Sequence, residues 1–122
     1  ELRGLGVRNT TKQFVITYEI MNNMPQQCKT LLEQHYRRQF QGLVLYGSYA
    51  RQEATTASDI DLLVLLKPPF DYFHEIRDLA DLLYPLQLES EQLLSVKPAD
   101  VEEFRHGALQ LYRNILREGI EV

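Results

Sequence analysis

Positive charge is in short supply: 13 Lys plus Arg stand against 17 Asp plus Glu, a net charge of −4. A chain of that sign has no general field with which to hold a polyanionic backbone, so long nucleic acid is a poor partner. Long apolar runs are missing too. The longest, Leu62 to Leu66, is far below the ~20 residues of a membrane span, and the opening residues show no charged-then-apolar pattern. Cys28 stands alone, which excludes an internal disulfide and sets the expectation of a reducing, cytoplasmic setting. There is no Gly-x-x-x-x-Gly-Lys-Ser/Thr to support a P-loop ATPase, and no Gly-x-Gly-x-x-Gly to support a dinucleotide fold.

What is present fits one small globular domain of 122 residues, with 44% hydrophobic and 25% charged residues. Residues 1–23 differ in texture from the rest and are read as an N-terminal extension, possessing one β-favouring stretch, Phe14 to Ile20, with Met21 and Met24 as candidate native starts. The domain is assigned to 24–122. From Pro25 to Phe40 the apolar residues Cys28, Leu31, Leu32, Tyr36 and Phe40 recur at helical steps, ended by Gly42. Leu43–Tyr46 reads as a buried strand, Tyr49–Glu53 as a short helix, and Ile60–Leu66 as a second buried strand stopped by Lys67, Pro68 and Pro69. Asp71 is placed as the N-cap of a helix reaching Tyr84 and closed by Pro85. Leu86–Val96 alternates as a third strand should, with Gln87, Glu89, Glu91 and Leu93 on one face. A last helical region runs from Pro98 to Arg117, interrupted at Gly107 and stopped by Gly119. The expected fold class is α/β (α+β), a small mixed sheet flanked by helices.

Three features gain meaning together: Gly47-Ser48 at the end of one buried strand, Arg51 three residues on, and Asp59-Ile60-Asp61 opening the next. In an extended segment residues i and i+2 share a face, so Asp59 and Asp61 present two carboxylates side by side. Like charges that close repel unless a cation sits between them, and hard oxygen ligands suit Mg²⁺, which completes its shell with substrate phosphates. Gly47 lets a phosphate approach the backbone, Ser48 adds a hydroxyl and an N–H, and Arg51 supplies a positive fork. The set is a triphosphate site with a metal at its side. In haloacid-dehalogenase phosphatases and many glycosyltransferases an Asp-x-Asp pair ends an apolar strand, whereas here the apolar run follows the pair, so those readings drop.

Leu43-Val44-Leu45-Tyr46-Gly47-Ser48-Tyr49-Ala50-Arg51, followed by Ser58-Asp59-Ile60-Asp61-Leu62-Leu63-Val64, resembles the signature of the DNA polymerase β-like nucleotidyltransferases, with ten residues between Ser48 and Asp59. It is most similar to the minimal nucleotidyltransferases (MNT) of prokaryotes, over Pro25 to Val122, and the closing Tyr112 to Ile120 segment is also similar to small members. Gln52 departs from the pattern, where the family usually has Gly. The resemblance implies attack of an acceptor hydroxyl on a nucleotide's α-phosphate with loss of pyrophosphate. It assigns two Mg²⁺ ions to Asp59, Asp61 and a third carboxylate on a neighbouring strand, and the triphosphate to Gly47, Ser48 and Arg51. Glu89 is the candidate third carboxylate. Glu91 lies two residues later on the same face, and Gln87 would take the position in a degenerate member.

By the same resemblance, ATP donates AMP to a tyrosine of a helical toxin encoded nearby (HEPN-type), and this chain is the antitoxin. From Asp71 to Glu103 nine acidic side chains face two basic ones, a surface suited to a basic partner. The alternatives are a catalytically weak module that neutralises its partner by contact, or transfer to a small molecule, although this length leaves no separate acceptor-binding domain. A homo-oligomer stays open. His35, His74 and His106 make no ligand spacing and are read as surface residues, and Cys28 as core.

Overall fold

The computed structural model describes residues 23–55 and 57–122. The stretch Phe14–Ile20, and all of the 1–23 extension except Asn23, lie outside the described residues. Helix α1 (Met24–Tyr36) carries Pro25 in its first turn and leads through a 3₁₀ turn, Arg37–Gln39, into strand β1 (Phe40–Tyr46). Strand β2 (Ile60–Leu66), helix α2 (Tyr72–Glu89) and strand β3 (Leu94–Asp100) follow. Two short helices, α3 (Val101–Arg105) and α4 (Gln110–Glu118), and the two-residue strand β4 (Ile120–Glu121) complete the chain.

The four strands are ordered β3-β2-β1-β4; β1 runs antiparallel to β2 and β4, and β2 parallel to β3. The sheet is therefore mixed, as expected, and helices cover both faces. On one face Leu43, Leu45, Ile60, Leu62, Val64 and Leu66 pack with Cys28, Leu32 and Tyr36 of α1 and Leu79, Leu83 and Leu86 of α2. On the other, Val44, Leu63 and Leu65 pack with Phe104 of α3 and Tyr112 and Ile115 of α4. Period-two alternation along buried strands thus feeds two separate apolar layers. Cys28 is fully buried, and burial pushes its thiol up to about 12.

Asp71 caps α2 as expected, its Oδ1 accepting from the N–H of Phe73 at 3.0 Å and of His74 at 3.3 Å. The helix does not stop at Pro85. Pro85 lies inside α2, which continues to Glu89 because Leu86 follows the buried Leu79 and Leu83 at the next helical step. The expected strand Leu86–Val96 is corrected accordingly: its first four residues are helical and β3 begins at Leu94. The Gln87 side chain anchors the change of direction, its Oε1 accepting from Leu94 N–H at 2.7 Å and its Nε2 donating to the Gln92 carbonyl at 3.0 Å. The expected helix at Tyr49–Glu53 is a hydrogen-bonded turn, α1 ends at Tyr36 rather than near Gly42, and β3 takes Pro98–Asp100 from the expected last helix.

Candidate active site

Helices α3 and α4 cover only part of their face of the sheet. Beyond them, at the end of β1 and the start of β2, that face opens on a group of polar residues. Gly47 turns the chain out of β1 with φ +76, and the turn closes through Arg51 N–H to the Gly47 carbonyl at 3.1 Å and Glu53 N–H to the Ser48 carbonyl at 2.8 Å. Tyr49 and Ala50 are buried against the α1 side of the core, which fixes the turn and leaves Arg51 outside. Gln52 takes φ +62, a left-handed conformation that a glycine adopts without steric cost and a glutamine does not.

Asp61 is the second residue of β2 and pairs across the ladder with Tyr46. It shares the face of Leu63 and Leu65, half-buried, with Asp59 exposed two residues earlier. Burial first, and the neighbouring Asp59 charge second, hold the Asp61 carboxyl above its ordinary range, against the fields of Lys97 and Arg51 and a hydrogen bond from Ser95. Burial, followed by the field of Asp61, pushes the Tyr46 phenol up to about 12. Gly47 lies so near that a Cβ on it would overlap Asp61 Oδ2. The bare α-carbon thus keeps open the space beside a carboxylate that already has a second carboxylate next to it. That donor set fits a divalent cation.

Arg51 is half-exposed; its Nε donates to Glu53 at 2.9 Å and its Nη1 lies 3.6 Å from Glu118 of α4. The hydrogen bond to Glu53, with further support from Glu118, raises its affinity for its proton. A cavity of about 220 Å³ opens beside it, lined by Tyr46, Gly47, Leu111, Asn114, Ile115 and Glu118. Gly47, Arg51, Asp59 and Asp61 are thus brought together with Ser48 in the same turn.

Glu89 and Glu91 are not. Glu89 is the exposed last residue of α2 and Glu91 lies in the turn that follows; Gln87 spends its amide on the loop backbone. The residue of β3 paired with Asp61 is Ser95, and Lys97, two further on, shares its face. Ser95, Lys97, Asn114 and Glu118 escape a sequence reading that places β3 eight residues early; the similarity of the Tyr112–Ile120 segment to small family members was the available signal for the last two. Among the described residues, three grouped His, Cys, Asp or Glu ligand atoms occur at His74, Glu75 and Asp78 on α2, against the opposite face. There Glu75 already accepts from the Tyr36 hydroxyl at 2.8 Å and Asp78 lies 3.3 Å from His74.

The profile of the polymerase beta nucleotidyltransferase family matches residues 26–122, a span that takes in both the Gly47–Arg51 turn and the Asp59–Asp61 pair. A candidate protein adenylyltransferase of Methanocaldococcus jannaschii is 33% identical over 92 residues, which cover 72% of this chain and 83% of that one. The crystal structure of a candidate nucleotidyltransferase from Sulfolobus solfataricus superposes with a TM-score of 0.57 at 14% identity, covering 92% of this chain and 87% of the other, a likeness of fold. A turn that can cradle phosphates, a carboxylate pair that fits a divalent cation and a family match spanning both have one common reading: the chain belongs to the polymerase beta nucleotidyltransferase family and is a nucleotidyltransferase.

Proposed function

We propose that the chain transfers AMP from ATP to a tyrosine hydroxyl of a helical toxin encoded nearby, and so acts as that toxin's antitoxin. The observation that carries the transfer is the meeting of Gly47, Arg51, Asp59 and Asp61 at one open end of the sheet. Mg²⁺ held on Asp59 and Asp61 would neutralise the developing charge on the phosphate oxygens. Arg51 exchanges Glu53 and Glu118 for phosphate oxygens, a swap of one anion for another that its exposure permits. Gly47 and Ser48 bring backbone and hydroxyl to the triphosphate. The acceptor hydroxyl gives up its proton to solvent as its oxygen forms a bond to the α-phosphorus, the bond from that phosphorus to its bridging oxygen breaks, and pyrophosphate leaves. A protein acceptor is supported by the relative's designation as a candidate protein adenylyltransferase and by the acidic surface of α2, where Asp71, Glu75, Asp78, Asp81 and Glu89 face a single Arg77.

Incubating the chain with Mg²⁺, labelled ATP and the protein encoded beside it tests this. Label on a partner tyrosine, lost in Asp59→Ala, Asp61→Ala, is the expected result. No label, together with undiminished inhibition of the partner by that double variant, overturns it. The latter outcome belongs to the second reading, neutralisation by contact, which Ser95 favours by standing where a further carboxylate would complete the acidic site.

A further inference from the structure

The parallel register of β2 and β3 sets Asp61 beside Ser95 and Leu63 beside Lys97. Residues two apart on a strand share a face, and Ala99, next in the series, is buried in the α3/α4 layer with Leu63 and Leu65. Ser95 and Lys97 therefore rise from the same face as Asp61. The electrostatics agree: Ser95 and the charges of Lys97 and Arg51 act on the Asp61 carboxyl, opposing its burial and the charge of Asp59.

The charges then constrain what else can bind. Asp59 and Asp61 bring two negative charges, which one divalent cation neutralises. A second would find no carboxylate of its own, since no third His, Cys, Asp or Glu ligand atom groups with those two among the described residues. It would meet a neutral hydroxyl at Ser95 and an ammonium at Lys97, and two positive charges in so small a space repel. The lysine side chain is exposed and its amine is free to face an incoming phosphate.

We propose that this site takes one divalent cation, on Asp59 and Asp61, and that Lys97 supplies as a fixed side chain the positive charge a second cation would bring. The inference rests on the reading of Asp59 and Asp61 as the metal-binding pair, and it replaces the two ions that the resemblance implied. Ser95, the partner of Asp61 in the β2/β3 pairing, is the positioning residue for that carboxylate.

Manganese titration of the full chain with a non-hydrolysable ATP analogue, followed by electron paramagnetic resonance, counts the ions directly. One Mn²⁺ per chain is expected in the unsubstituted protein. Lys97→Met keeps that count and weakens the analogue by about tenfold, and Ser95→Asp raises the count to two. Two ions per chain in the unsubstituted protein, both lost in Asp59→Ala, Asp61→Ala, would sink the one-cation proposal and leave the metal-binding pair standing. Unchanged Mn²⁺ binding in the double variant would instead sink the pair itself, and the proposal with it. Should Ser95→Asp fail to fold, the count in the unsubstituted chain and the analogue affinity of Lys97→Met decide the matter.

Discussion

The α-carbon of Gly47 is packed against the carboxylate of Asp61, so closely that a side chain on the glycine would overlap Oδ2 and stand 3.1 Å from Cγ. The end of one strand and the start of the next are thereby locked into a single site. Gly47→Ala brings two penalties: a left-handed conformation that costs an L-residue about 1–2 kcal/mol, and displacement of Asp61. The expected outcome is a folded protein by far-UV circular dichroism whose nucleotidyl transfer drops by about 100-fold, the scale on which a misplaced catalytic group is felt. Retention of transfer within a few fold would show that Asp61 tolerates the shift.

Gln52 carries strain without an evident return. Its φ of +62 sits in the turn that positions Arg51, while the side chain is exposed. Gln52→Gly relieves a left-handed residue and is expected to raise stability by about 1 kcal/mol, less the greater freedom glycine gives the unfolded chain. Urea titration reads this as a higher midpoint at constant slope. A lower midpoint would mean that Gln52 makes a contact worth more than the strain.

Much of this was legible in the residues themselves. The apolar runs at Leu43 and Leu62 have no other use than as buried strands, and Gly47, Arg51, Asp59 and Asp61 stand at strand ends that fix where they point. The β3 strand was not legible for a physical reason. Leu86, Leu88, Ser90 and Gln92 alternate with polar neighbours, but Leu79, Leu83 and Leu86 also follow a helical step, and burial of Leu86 carries α2 past a proline that breaks most helices. Moving β3 onward to Leu94 changes the residue beside Asp61 from an acid to Ser95. An error in one element boundary therefore became an error in the residue set expected beside Asp61.

The two helices on the α1 side of the sheet are tied by a hydrogen bond, the Tyr36 hydroxyl donating to Glu75 at 2.8 Å. Tyr36 is buried in the core cluster, whereas Glu75 is half-exposed and can turn to water when the donor is removed. Tyr36→Phe is thus expected to lower unfolding free energy by about 1 kcal/mol, the net worth of a hydrogen bond whose acceptor can be resolvated. Transfer activity should be untouched, since the tie lies on the face away from Asp61. A loss well above that figure would point to a structural role for the Glu75 carboxylate.

Alkaline pH should unfold the protein sooner than its acidic composition suggests. Burial moves the Cys28 thiol from 9.0 to about 12, and burial with the field of Asp61 moves the Tyr46 phenol from 10.0 to about 12. Both groups keep their protons longer in the folded chain than in the unfolded one. Below pH 9 neither state has released them, and the stability they confer is fully present. As pH rises through 9 for Cys28 and 10 for Tyr46, the unfolded chain loses protons first, and each group removes about 1.4 kcal/mol of stability per pH unit until the folded chain titrates near 12. Urea titrations at about pH 8, 9, 10 and 11 measure the slope, which should steepen once above 9 and again above 10. Cys28→Ala removes the first of these breaks while leaving the second, so a slope that is flat between pH 9 and 10 in the parent chain would show that the thiol is not buried as the fold requires.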